Sequence, residues 1–193
     1  KSSPTMGCPF SYWRGTSART DPPAARTGWA AEFDDMRYTM LVTQQCNLRC
    51  DYCYIEKRPR RMSLDTAVKV VDFGFRHTPA TEWIEFGFFG GEPLLEFPLI
   101  RQIVRVVCDH PSYTPKRVVF NLTTNGTLLT PEFLDFAVEN AVHVVISCDG
   151  PPDVHNAHRR FSDGRATSAA VVDGIRSALA VRPDLPVNAV YGP

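Results

Sequence analysis

Apolar and polar positions along this chain fall into blocks that switch between two periods. Tyr38–Thr43 is an apolar run of strand length, and Trp83–Phe89, Arg117–Thr123 and His143–Ser147 repeat it. Between these runs lie longer stretches with helical spacing. Ser63 can cap a helix reaching about His77, with Val68, Val71 and Phe75 on its inner face. Further helices are predicted from about Phe97 to Asp109, from Pro131 to about Asn140, and from about Thr167 to Val181. Pro186–Tyr191 is placed to begin a fifth strand. Four or five β-α units in series imply an α/β fold with a parallel sheet and right-handed crossovers. Either a (β/α) barrel or an open doubly wound sheet satisfies that order. No glycine-rich dinucleotide fingerprint follows the first strand; cysteines do.

The organised pattern starts near residue 37. Residues 1–36, rich in Pro, Ser, Thr, Ala and Arg without periodicity, read as an irregular N-terminal extension, and residues 37–193 as one core. The chain opens on Lys1 and ends on Tyr191-Gly192-Pro193, so the expectation is a fragment whose C-terminal units are missing. Lys plus Arg and Asp plus Glu both number 21, which argues against nucleic acid or an anionic membrane surface as partner. The longest basic run, Lys57 to Arg61, is broken by Pro59 and reads as a solvated loop. No stretch is long enough to span a bilayer, and no signal-peptide pattern opens the chain. Three of the six cysteines fall within eight residues, which suits a metal site in a reducing cytoplasm better than secreted disulfides. Cys108 and Cys148 sit in apolar surroundings and read as buried free thiols.

The unusual residues share one address, the C-terminal ends of the strands. Cys46, Cys50 and Cys53 follow the first strand, Gly90-Gly91-Glu92-Pro93 the second, Asn125-Gly126-Thr127 the third, and Ser147-Cys148-Asp149-Gly150 ends the fourth. In a (β/α) barrel those loops meet on one face, where active sites are built. Cys46 to Cys53 spell CxxxCxxC, and three thiolates can hold three irons of a cubane while leaving the fourth open. Structural zinc is the bland alternative, but it wants four closed ligands, and the nearest downstream histidine, His77, ends a predicted helix. Gly-Gly-Glu-Pro is by itself also a plausible turn, as is Asp149-Gly150, whose carboxylate is otherwise placed to bind a hydroxyl. Asn125 reads as a turn residue, and His155 and His158 as solvated residues flanking a loop, with no catalytic role assigned.

CxxxCxxC with Tyr52 before the last cysteine resembles the cluster-binding loop of the radical S-adenosylmethionine (SAM) superfamily, and Gly90–Pro93 matches its GGEP motif. Thr123–Leu129 and Ser147–Pro151, followed by His155 and Arg159, resemble the anaerobic sulfatase-maturase and peptide-maturase branch, in which a further SPASM or twitch region holds auxiliary clusters. The resemblance covers about residues 38–190. It implies a partial (β/α)6 TIM-like barrel of parallel strands with outer helices. It also implies a [4Fe–4S] cluster on Cys46, Cys50 and Cys53, with SAM on the open iron cleaved reductively to a 5′-deoxyadenosyl radical. The backbone around Tyr52 would meet the adenine, Gly90 and Gly91 would let the chain approach the ligand, and Glu92 would accept from the methionine ammonium. Ser147 and Arg159 would contact SAM, the arginine through its carboxylate, with Arg165 a further candidate. The implied partners are a peptide or protein substrate and a one-electron donor such as flavodoxin or ferredoxin. A small-molecule substrate, or a non-catalytic iron–sulfur or zinc-binding module, stays open as the alternative.

Overall fold

The structure, a computed structural model, describes residues 36–190. The expected extension, apart from Met36, lies outside the described residues, as do Tyr191–Pro193. Five strands appear where the apolar runs place them: β1 (Met36–Thr43), β2 (Ile84–Gly90), β3 (Val118–Thr124), β4 (Val142–Ser147) and the two-residue β5 (Val187–Asn188). The helices are α1 (Leu64–His77), α2 (Phe97–Cys108), α3 (Pro131–Glu139), α4 (Pro152–His158) and α5 (Ser168–Val181), with a 3-10 turn at Pro93–Glu96. As expected, Ser63 caps α1 by accepting from the Thr66 amide at 3.1 Å. Thr130 does the same for α3 ahead of Pro131.

Strand order decides between the two sheets that the sequence leaves open. Every pairing is parallel, and the order is strictly sequential, β1-β2-β3-β4-β5. A doubly wound sheet reverses order at a switch point and carries helices on both faces, whereas sequential right-handed crossovers put every helix on one face, as in a barrel wall. Burial agrees. The core joins one alternating set of strand residues (Met40, Val42, Ile84, Phe86, Phe88, Val118, Phe120, Leu122, Val142, Val144, Ile146) to the apolar faces of α1, α2, α3 and α5. Phe86 has no exposed surface, and truncating it to Ala would cost about 3–5 kcal/mol. The opposite set is more polar and less buried: Thr39, Leu41, Asn121, Thr123, His143 and Ser147 belong to it. Those residues line the concave wall of a partial (β/α) barrel.

Two short elements were not foreseen. The 3-10 turn and α4 each begin on a proline at the first positions, the one signal the sequence offered. Seven residues are too few for a helical apolar period to show in α4. Its appearance corrects the reading of His155 as a solvated loop residue: it is helical and fully buried. Cys108, expected as a free thiol, is disulfide-bonded.

Candidate functional site

The cysteine loop leaves β1 and returns to it. Gln44 donates its amide to the Arg60 carbonyl at 2.9 Å, Met62 donates to Val42 at 2.9 Å, and Thr43 bridges Arg61, so the excursion is closed at its base. Leu48, 1% exposed, anchors its middle in the interior. The far side is stitched to the segment after α4, through Arg49 N–H to Arg160 O at 2.8 Å and Ser162 N–H to Asn47 O at 2.9 Å. Within that frame Cys46, Cys50 and Cys53 are all half-buried free thiols. Burial pushes the Cys46 and Cys50 thiols up. The Leu48 amide and Lys57 offset this in part at Cys46, and Arg159 at Cys50. Lys57 Nζ donates to Cys53 Sγ at 2.8 Å, so one ammonium serves all three sulfurs by contact or by field.

The double glycine has a cause that the sequence did not show. Gly90 has φ +149°, and a Cβ there would stand 2.1 Å from the Thr43 carbonyl oxygen; at Gly91 it would stand 2.1 Å from that of Gln45. The amides of Gly91 and Glu92 donate to those same two carbonyls at 2.9 and 2.8 Å. The glycines therefore let the end of β2 lie against the stem of the cysteine loop, where the expectation was close approach to a ligand. Glu92 is likewise placed differently from the expectation. Its carboxylate has no exposed surface and accepts from Leu94 N–H at 3.0 Å, Thr124 Oγ1 at 2.7 Å and Asn125 N–H at 2.7 Å. It ties β2 to β3, and in this arrangement it is closed to an incoming ammonium. Burial raises its carboxyl above the ordinary range, against the pull of the Asn125, Thr124 and Leu94 hydrogen bonds.

Asn125 is more than a turn residue. Its Nδ2 donates to Asn47 Oδ1 at 2.9 Å, while Asn47 Nδ2 donates to Thr127 Oγ1 at 2.8 Å. Its own Oδ1 accepts from Thr127 at both N and Oγ1, at 3.0 and 2.7 Å. This lattice locks the loop after β3 to the second residue of CxxxCxxC. Asn47, Thr124 and Thr127 lie inside the motifs that the sequence singles out, but no role was assigned to them there.

On the β4 side, Asp149 is 2% exposed at its side chain and accepts from Arg159 Nε at 2.8 Å and from the Tyr52 hydroxyl at 2.5 Å. Burial alone would raise its carboxyl, but these two partners outweigh that and hold it below the usual range. Burial and the Asp149 contact push the Tyr52 phenol far up, so it stays protonated. Arg159, 9% exposed, stacks its guanidinium 5.2 Å from the Tyr52 ring centre. Ser147 ends β4 half-buried beside Asn188 of β5. Arg165, a candidate SAM contact, is exposed and pairs with Asp163 at 2.7 Å over the Phe161 ring. His158, as expected, is exposed, and it meets Asp51 at 2.8 Å.

The donor set fits an iron–sulfur cubane. Three thiols on one loop, held from both sides and with a cation on one sulfur, offer one ligand per iron. Among the described residues no three His, Cys, Asp or Glu side chains close around a single ion, an arrangement that a cubane does not require. Gln44 Oε1, next to this loop, is the buried side-chain polar atom among the described residues that lacks a hydrogen-bond partner.

The parallel α/β wall and a three-cysteine loop at its C-terminal edge define a class. The chain belongs to the radical SAM superfamily, whose sequence model matches residues 40–193. That family works with a [4Fe–4S] cluster and SAM, and these are the cofactors of a chain that belongs to it. An uncharacterized protein of Methanocaldococcus jannaschii is 31% identical over 74% of this chain and 48% of its own length. The serine-type anaerobic sulfatase-maturating enzyme of Bacteroides thetaiotaomicron is 30% identical over 75% of this chain and 37% of its own. The solved structure of native anSMEcpe with bound AdoMet and Cp18Cys peptide has the same fold, with a TM-score of 0.69 and 24% identity over 80% of this chain and 42% of that one. The chain spans less than half the length of each of these proteins. Among the described residues no helix is long and apolar enough to cross a membrane.

Proposed function

We propose that this chain forms the cofactor-binding part of an enzyme that cleaves SAM reductively and uses the resulting radical to oxidise a peptide or protein side chain. The observation that carries this reading is the lacing of the CxxxCxxC loop to the ends of β2, β3 and β4 through Glu92, Asn125 and Asp149. Cys46, Cys50 and Cys53 would hold the cluster, with one iron left open for SAM. Lys57 places a positive charge on the Cys53 sulfur. Gly90, Gly91 and Glu92 hold the loop stem against β2, while Tyr52, Ser147 and Arg159 form the side of the site facing β4. When bound, the cluster and SAM supply one-electron cleavage of a C–S bond and, with it, the means of abstracting a hydrogen atom.

The substrate class rests on the relatives. One is named a sulfatase-maturating enzyme, and the solved structure of like fold holds a peptide. Formylglycine formation from Cys or Ser, or crosslinking of a peptide, is the reaction class in our reading. A flavodoxin- or ferredoxin-type donor supplies the electron. The reducing cytoplasm is the compartment where such thiolates survive.

Isotope transfer tests this. Cys- or Ser-containing peptides deuterated at Cβ are incubated anaerobically with the reconstituted chain, SAM and dithionite, and the 5′-deoxyadenosine is analysed by mass. Deuterium passing from peptide to deoxyadenosine supports a peptide oxidase. Deoxyadenosine free of label with every peptide, but labelled by a small deuterated metabolite, contradicts it.

A further inference from the structure

Three segments distant in sequence meet on the Asp149 carboxylate. Tyr52 from the cysteine loop and Arg159 from the end of α4 both donate to Oδ2, at 2.5 and 2.8 Å, and the Val190 amide donates to Oδ1 at 3.0 Å. A second chain of bonds fixes Asp149 from behind. Thr167 Oγ1 donates to the Arg159 carbonyl at 2.5 Å, so its single proton is spent there and it accepts from His155 Nε2 at 3.0 Å. His155 Nδ1 is then an acceptor, and the Asp149 amide donates to it at 3.3 Å. One neutral tautomer of a fully buried histidine satisfies every bond. Burial and the Arg159 charge keep that imidazole unprotonated.

A buried ion pair adds little net stability, because desolvation offsets most of the attraction. This pair therefore calls for another use. Among the described residues Arg159 donates a side-chain hydrogen bond only through Nε, and that bond goes to Asp149. Its two terminal amino groups keep their four N–H donors for another acceptor. A guanidinium pinned at Nε, stacked on an aromatic ring and enclosed by protein is preorganised for a planar carboxylate. Tyr52, the ring it stacks on, is the residue between Asp51 and the last cysteine of the motif.

We propose that Asp149 is a positioning residue for SAM, fixing Arg159 through Nε and Tyr52 through its hydroxyl so that the free end of the guanidinium receives the SAM carboxylate beside the cysteine loop. The inference rests on the function proposed above. Asp149 touches neither cofactor; it acts through Arg159 and Tyr52, and His155 in turn holds Asp149.

The test is SAM affinity of the full chain, reconstituted with iron and sulfide and measured by equilibrium dialysis with labelled SAM, alongside iron and sulfide content. The set is the parent, Asp149→Asn, Arg159→Lys, the double variant and Tyr52→Phe. Asp149→Asn keeps the side-chain shape but turns an amide or a neutral oxygen toward Nε. SAM binding should weaken about tenfold, the size of one lost charge-assisted hydrogen bond, with iron and sulfide per chain unchanged. Arg159→Lys should match it, and the double variant should bind no more weakly than the worse single, since Asp149 works through Arg159. Tyr52→Phe should lose less, about two- to fivefold. Asp149→Asn binding as tightly as the parent, or losses that multiply in the double variant, would overturn the proposal. So would reduced iron and sulfide in Asp149→Asn, which would make the carboxylate a brace for the loop and not for the arginine. A parent that takes up the cluster yet binds no SAM would instead sink the functional reading beneath it.

Discussion

The amide of Asn125 meets the carboxylate of Glu92 at 2.7 Å where Glu92 has no exposed surface. A buried carboxyl at the end of one strand thus fastens the start of the loop after the next. The cysteine loop, bonded to that same asparagine through Asn47, is held in turn.

Glu92→Gln should therefore destabilise the chain, because an amide facing three donors satisfies fewer of them and turns one N–H toward another. The cost should be about 1–3 kcal/mol by urea unfolding at pH 5. Burial holds the folded carboxyl above its unfolded value, so its stabilising contribution is present below the unfolded value and lost as pH rises through the folded one. The parent's advantage over Glu92→Gln should accordingly shrink as pH rises above the unfolded carboxyl's value. A gap that widens toward neutrality would mean that Glu92 is held low, not high.

Substitution at the double glycine should separate backbone contact from ligand approach. Gly90→Ala and Gly91→Ala each drive a methyl to 2.1 Å from a carbonyl oxygen and should cost about 2–4 kcal/mol in the chain without cofactors. Gly87→Ala, also on β2, meets nothing nearer than 3.7 Å and should cost under about 1 kcal/mol. Equal stability of all three by thermal unfolding would return the glycines to a role seen only with ligand bound.

Lys57 donates to the sulfur of Cys53, which we propose holds an iron, and hydrogen bonds and positive charge at cluster sulfurs favour the reduced, more negative state. Lys57→Met should lower the cluster's reduction potential by tens of millivolts, about 59 mV being a tenfold change in a one-electron equilibrium. Lys57→Arg should recover most of the difference. An EPR-monitored titration reads this directly, and an unchanged potential in Lys57→Met would show that the ammonium leaves the sulfur once iron is present.

Much of this was legible in sequence, and the reason is locality. The four main strands, the Ser63 cap and the CxxxCxxC spacing are encoded within a dozen residues of themselves, and the structure places each near its expected position. What escaped was the partner of each special residue. Gly91 is glycine because of Gln45, Asn125 reaches Asn47, and Asp149 collects Tyr52, Arg159 and Val190. None of those pairs is periodic or adjacent. The seven residues of α4 were too few to show a period, so His155 looked solvated although it is the buried brace behind Asp149. Arg165 pairs at the surface with Asp163, a partner two residues away that the sequence itself offered.

The most direct test of the central claim is the yield of 5′-deoxyadenosine. The chain and a Cys46→Ala/Cys50→Ala/Cys53→Ala variant are reconstituted anaerobically with iron and sulfide, reduced with dithionite and given SAM. The account predicts deoxyadenosine from the parent and none above background from the variant, with iron and sulfide bound only to the parent. A parent that binds neither iron nor sulfide, or a variant that yields as much deoxyadenosine, would contradict it.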